Sequence, residues 1–293
     1  MLTKSEFDAI IAQNLMAHDV TLGYTVPETG RLYPHYRANQ DFEDFEAEMR
    51  ADYPAAYKRY SEGKGSELES HTHRDIPQPP KMASVASSSR FCYLALRNGA
   101  EALGGLGEVR FEEDCKISGI KGGTAPQLDA FIPESNIYVE VKCHEMFDAH
   151  ATRLRKSYHS HLLGEGNAFG FPVTPPPSEA EFAIPFDAFG LKPDPMFDVK
   201  QFLCHLLGVA SRADAPAKPA ELVYLFFRPE SYDAGEQQEI EALFAALTKE
   251  IRALFTSTPI CRFCAVHNIK LRAVAERAPI MGPLTAQNLE ILV

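Results

Sequence analysis

Residues 127–142 constrain this chain more than any other stretch. Gln-Leu-Asp-Ala-Phe-Ile is followed by Pro-Glu-Ser-Asn and then by Ile-Tyr-Val-Glu-Val-Lys, with Cys143 next. Two alternating β-forming runs separated by four turn formers predict an antiparallel hairpin. A loop at 133–136 pairs Ile132 with Ile137, Phe131 with Tyr138, Ala130 with Val139, Asp129 with Glu140, Leu128 with Val141 and Gln127 with Lys142. Successive strand side chains point to opposite faces, so Leu128, Ala130, Ile132, Ile137, Val139 and Val141 share one wholly apolar face. That face has to be covered by helices. The other face gathers Gln127, Asp129, Glu140 and Lys142.

The flanking pattern predicts an α/β fold. Residues 3–20, with Thr3 as cap, and residues 41–60 read as helices, and the aperiodic Ser, Glu, Gly and His residues of 61–80 as a surface linker. Residues 84–103 read as a helix stopped by Gly104-Gly105. A strand is expected at 109–111, with an extension toward Ile120. Residues 149–163 read as a helix bearing Arg153, Arg155, Lys156, His159 and His161 on a positive side. The insertion 164–195, with Pro175-Pro-Pro177 and five phenylalanines, is too apolar for a solvated linker and is expected to pack on the body or cover a site. A helix at 198–209, a strand at 221–227, a long helix at 236–255 and a mixed tail complete the reading. The expected division is 1–80 packed on a domain of 84–293.

Carboxylates directly opposed across two strands lie roughly 5 Å apart and repel unless a cation sits between them or one keeps a proton. Oxygen ligands so placed suit Mg²⁺ or Mn²⁺, hard cations that retain waters. Lys142, two residues after Glu140, points to the same side. A cation, a polarised water and a nearby ammonium are the parts that phosphodiester hydrolysis needs.

An acid on one strand followed by Glu-x-Lys on the next, here Asp129 and then Glu140-Val-Lys142, resembles the PD-(D/E)xK nuclease superfamily. The resemblance spans residues 84–227, most resembles an uncharacterised bacterial subgroup, and departs from the motif in having Leu128 where the name has Pro. It implies a restriction-endonuclease-like core, a central mixed sheet flanked by helices, with an N-terminal helical elaboration and the Pro-rich insertion added. It further implies a Mg²⁺- or Mn²⁺-dependent endonuclease acting on DNA in restriction, defence or repair. Asp129, Glu140 and the Val141 carbonyl would be metal ligands and Lys142 the catalytic lysine. Glu101, Gln127 and Gln201 are accessory candidates, and Glu112 or Glu113 could serve in place of Glu101. Arg153, Arg155 and Lys156 are candidates for gripping phosphates. Cutting both strands calls for two active sites, which implies a homodimer. The alternative is a catalytically inactive nuclease-like fold that binds DNA or assembles a complex. A glycosidase using the same two acids fits poorly beside a lysine.

Composition narrows the classes. With 45% hydrophobic and 24% charged residues the chain can build a core. A net charge of −11 argues against coating nucleic acid through bulk positive charge. No run approaches the roughly 18–20 apolar residues of a membrane span. Lys4, Glu6 and Asp8 stand where a signal peptide would be apolar, and six cysteines are too sparse for a disulfide scaffold. A soluble protein of the reducing cytoplasm is the expectation. Cys261 and Cys264 with His267 have zinc-like spacing but lack a fourth ligand and read as a packed tail. His71 and His73 read as solvated, and Asp187, Asp194 and Asp198 as caps and turns.

Overall fold

The computed structural model describes residues 2–63, 67–115, 117, 120, 126–193, 195–212, 218–277 and 283–293. Along the chain lie α1 (Lys4–Met16), a hairpin of β1 (Leu22–Val26) and β2 (Arg31–Arg37), α2 (Asn39–Asp52) and α3 (Pro54–Glu62). A second hairpin of β3 (His71–His73) and β4 (Ile76–Gln78) precedes α4 (Ser88–Leu96). Next come β5 (Arg110–Asp114), β6 (Gln127–Ile132), β7 (Ile137–Lys142), β8 (Arg153–Arg155), α5 (His159–Leu163) and β9 (Glu181–Ala183). The chain closes with α6 (Val199–Ala210), β10 (Ala220–Phe227), α7 (Ala234–Phe255), α8 (Thr258–His267), β11 (Ile269–Glu276) and β12 (Leu289–Ile291).

The fold is mixed α/β around a six-stranded sheet in the order β12-β11-β10-β7-β6-β5. Strands β5, β6 and β7 form an antiparallel meander. Then β10 and β11 add in parallel, and β12 closes the edge antiparallel. The four-residue loop of the β6–β7 hairpin closes as the sequence predicts. Asn136 takes a left-handed φ of 54°, which its short amide side chain tolerates, and that side chain donates to the Lys218 carbonyl at 3.2 Å. The apolar hairpin face is buried, Leu128, Ala130, Ile132, Val139 and Val141 each at 0% exposure. Burial of such side chains contributes roughly 1.5–3 kcal/mol each.

The helices take opposite sides. Phe91 of α4 meets Phe227 of β10 with ring centroids 5.5 Å apart. On the other face Phe202 of α6 meets Tyr224, the residue three positions earlier on β10. Leu2, Phe7, Phe45, Tyr60 and Leu68 share one apolar cluster with the later part of the chain. Phe7 of α1 packs on Phe147, and Tyr60 of α3 on Phe111 of β5. Among the described residues no helix is long and apolar enough to cross a membrane.

Several elements differ from the sequence expectation. The helix expected over 41–60 is two helices, because Pro54 cannot continue α2 and instead opens α3 at its first position. The linker 61–80 holds the β3–β4 hairpin. Residues 84–103 are helical only over α4, with a short 3₁₀ turn at Glu101–Leu103. The extension of β5 toward Ile120 falls partly outside the described residues. The basic run is not a single helix: Arg153 and Arg155 flank buried Leu154 on β8, a 3₁₀ turn follows at Lys156–Tyr158, and α-helix starts at His159. Its strand partner β9 comes from the Pro-rich insertion, which therefore packs on the body.

Candidate active site

Strands β6 and β7 pair only at Ile132↔Ile137, Phe131↔Tyr138 and Ala130↔Val139. The three predicted pairs beyond, including Asp129 with Glu140, are not part of the ladder. Instead the Asp129 carboxylate reaches across, and its Oδ2 accepts the Val141 N–H at 2.7 Å. A side chain thus satisfies a backbone donor that a neighbouring strand would otherwise meet. Strand β6 remains held by β5 through Leu128 and Gln127, and β7 by β10 through Lys142. The two strands diverge, and a cavity of about 670 Å³ opens beside them, lined by Gln127, Asp129, Glu140, Lys142 and Gln201 among others.

Helix α6 crosses this cavity and presents two residues one turn apart. Lys142 Nζ donates to Glu140 Oε1 at 2.6 Å and to Gln201 Oε1 at 2.7 Å. His205 Nε2 lies 3.7 Å from Glu140 Oε2, and its Nδ1 lies 3.0 Å from the Tyr224 hydroxyl. Asp198 caps the helix by accepting the Gln201 N–H at 2.9 Å, which sets the rotation of this face.

Burial, then the nearby Glu140, pushes the Asp129 carboxyl well above its ordinary value. Burial also raises Glu140, though Lys142 opposes that shift. Burial works against the charge of Lys142, but Glu140, Glu145 and Asp129 outweigh it and hold the ammonium proton more tightly than usual. Burial and the Lys142 charge push His205 down to about 3, so its ring is neutral at physiological pH.

The remaining sequence candidates divide. Gln201 and Gln127 line the cavity. Glu101 lies apart, bordering a separate hollow with Tyr53 and Arg97. Glu113 is engaged by Arg212 at 2.9 Å, whereas Glu112 lines the cavity. Arg153 is exposed and bound to Glu179 at 2.5 Å, and Arg155 and Lys156 are exposed without lining the cavity. Asp198 caps as expected, but it also borders the cavity and lies 3.6 Å from His150. Asp187 lies in a 3₁₀ turn, and Asp194 lies outside the described residues. Cys261 and Cys264 sit on α8 as free thiols.

Sequence reasoning missed Ser88, Ser89, Glu67, Glu145 and His205, all of which line the cavity. The four-residue spacing of Gln201 and His205 was a usable signal for His205, since it places both on one helical face. Glu67 had none, because a distant segment carries it.

Of the expected metal ligands, Asp129 and Glu140 line the cavity and Val141 is not among its lining residues. Among the described residues no three His, Cys, Asp or Glu side chains stand together in a form that could hold a metal ion. Two carboxylates with a main-chain carbonyl and waters match what Mg²⁺ or Mn²⁺ accepts, whereas a structural zinc site needs four protein ligands. Scans against protein-family models, curated proteins and solved structures returned no match.

Removing the Gln201 acceptor isolates its part in holding Lys142. Gln201→Leu is expected to lower stability by about 1.5–3 kcal/mol in urea unfolding, the usual worth of a hydrogen bond to a charged group. An unchanged midpoint would show that Lys142 needs only Glu140.

Proposed function

We propose that this chain is a divalent-metal-dependent nuclease that hydrolyses phosphodiester bonds of DNA. The observation that carries the reading is the convergence of Asp129, Glu140 and Lys142 on one cavity, where β6 and β7 part. The order of elements supports the restriction-endonuclease-like core: α4, an antiparallel β5-β6-β7 meander, α6, then β10 parallel to β7.

Each residue has a part in this reading. Asp129, Glu140 and the Val141 carbonyl would hold Mg²⁺ or Mn²⁺. When bound, that ion supplies Lewis-acid charge and a polarised water. Lys142, itself buried and with Nζ fixed between Glu140 and Gln201, would bring an ammonium to the cavity, where its charge would act on a phosphate oxygen with little reorganisation. Gln201 and His205 are positioning residues. His205 stays neutral and so adds no competing positive charge beside Glu140. In this reading the exposed Arg155 and Lys156, which lie outside the cavity lining, would make sequence-independent phosphate contacts.

The test is incubation of plasmid, linear and single-stranded DNA with purified protein in Mg²⁺, Mn²⁺ or EDTA, with Lys142→Ala alongside. Metal-dependent cleavage that falls by about 100-fold or more in the variant is expected. Equal cleavage by both proteins would remove the assignment. DNA binding that needs no metal, without cleavage of any substrate, would favour the non-catalytic alternative.

A further inference from the structure

We propose that Cys261 and Cys264 are a dithiol pair that exchanges electrons with low-molecular-weight disulfides, at a site apart from the acidic cavity and independent of the nuclease reading. The two cysteines stand three residues apart on α8 and line one hollow of about 460 Å³ with Phe255, Ile269, Leu271 and Val293. Neither borders the cavity of Asp129, Glu140 and Lys142. All six cysteines are free thiols, and among the described residues Cys261 is the one that is exposed. Cys92, Cys115 and Cys143 are buried, and Cys204 and Cys264 are half-buried. Cys261 is thus the sulfur that a reagent in solution meets first. Burial, and then the neighbouring Cys261, push the Cys264 thiol up to about 12, which keeps it from attacking such a reagent directly. An exposed thiol beside a protected one is the asymmetry that an attacking and a resolving cysteine need.

The helix lets the two sulfurs meet. Side chains three apart on a helix have Cβ atoms about 5–6 Å apart, whereas a disulfide needs about 3.5–4.5 Å, so the turn between them has to tighten by about 1–2 Å. That turn is near the start of α8, where Pro259 brings no N–H and Ser257 gives its hydroxyl to the Leu254 carbonyl at 2.7 Å instead of capping the helix. The Cys261 thiol is held only by a weak bond to the Phe255 carbonyl at 3.5 Å, so its rotation toward Cys264 costs little. In the exchange the Cys261 thiolate attacks one sulfur of the small disulfide, the reagent's own S–S bond breaks, and one small thiolate leaves. Cys264 then gives up its proton and attacks the Cys261 sulfur; the Cys261–Cys264 bond forms and the second small thiolate leaves. Two electrons pass to the reagent, and the two cysteine protons end on the two small thiols. Proximity makes the second step intramolecular, which offsets the low acidity of Cys264.

The experiment treats the full folded chain with glutathione disulfide and follows it by intact mass and by non-reducing tryptic mapping. Trypsin cuts after Arg262, between the two cysteines, so the bond joins peptides 253–262 and 263–270, and reduction separates them. Wild type, Cys261→Ser and Cys264→Ser are compared, each checked for folding by circular dichroism. Wild type is expected to lose two hydrogens and give the joined peptides without a lasting glutathione adduct. Cys264→Ser is expected to stop at a glutathione adduct on Cys261, and Cys261→Ser to stay unmodified at both positions. A lasting adduct on Cys261 in wild type, with no joined peptides, would overturn the pair. So would a folded wild type that stays unmodified at both positions under a disulfide excess that oxidises the same chain in urea. Adduct formation on Cys264 in Cys261→Ser at the wild-type rate would overturn the assignment of the attacking sulfur.

Discussion

With methionine in place of Lys142 the folded state is expected to lose about 3–5 kcal/mol at pH 7, read as a lower urea midpoint. Lys142 and Glu140 are 8% and 3% exposed, and Nζ lies 2.6 Å from Glu140 Oε1. Without the ammonium, a buried carboxylate keeps only the His205 ring at 3.7 Å, which burial still disfavours in its charged form. Burial already raises Glu140, and the substitution raises it further. The sign of the pH dependence follows. Below the ordinary glutamate value both folded and unfolded chains carry the proton and the charge penalty vanishes; above it the unfolded chain ionises first, and the loss grows with pH. The double variant Glu140→Gln/Lys142→Met is expected to regain most of the stability, since it leaves no lone charge. An equal loss at pH 4 and pH 8 would show that Lys142 contributes through its methylenes rather than its charge.

The second large effect is a fall in stability from about pH 4.5 to about pH 8, traced to two buried acids. Burial, then Asp129, pushes Glu112 up to about 8, and burial alone does the same for Glu276. Glu276 is 2% exposed, and among the described residues its Oε2 has no hydrogen-bond partner. A carboxyl with a folded value above its unfolded one binds a proton in the folded state through that window, so stability drops as pH rises through it. The ceiling is about 5 kcal/mol for each group, and water entry on local opening reduces it. In EDTA, Glu112→Gln and Glu276→Gln should each match wild type at pH 5 and exceed it by about 2 kcal/mol or more at pH 8.5. Thermal midpoints at the two pH values decide the matter; parallel profiles for all three proteins would rule out both groups as the source.

Much of the core was legible in the sequence because its signals are local. The period-two alternation of 127–132 and 137–142 predicted the hairpin, its loop and the stacking partners Phe131 and Tyr138, whose ring centroids lie 4.5 Å apart. The long amphipathic α7 and the uniformly β-forming β10 announced themselves in the same way. Pro54 was also readable as a break, yet the aromatic periodicity on both sides of it outweighed that signal. Arg153-Leu-Arg155 is ambiguous by itself. It is strand because residues 181–183, far along the chain, supply the hydrogen bonds.

By itself the sequence determined which residue types share a strand face: Asp129, Glu140 and Lys142 follow from side-chain parity alone. Tertiary structure decided how they stand. Competing ladders to β5 and β10 pull β6 and β7 apart, so Asp129 binds a backbone N–H instead of facing Glu140. It also decided which helix covers them and which distant acids join: Gln201 and His205 from α6, Glu112 from β5, and Glu67 from the N-terminal region. Parity is a property of a covalent chain with a fixed geometry, whereas strand divergence and the burial that shifts a carboxyl depend on every element packed around them.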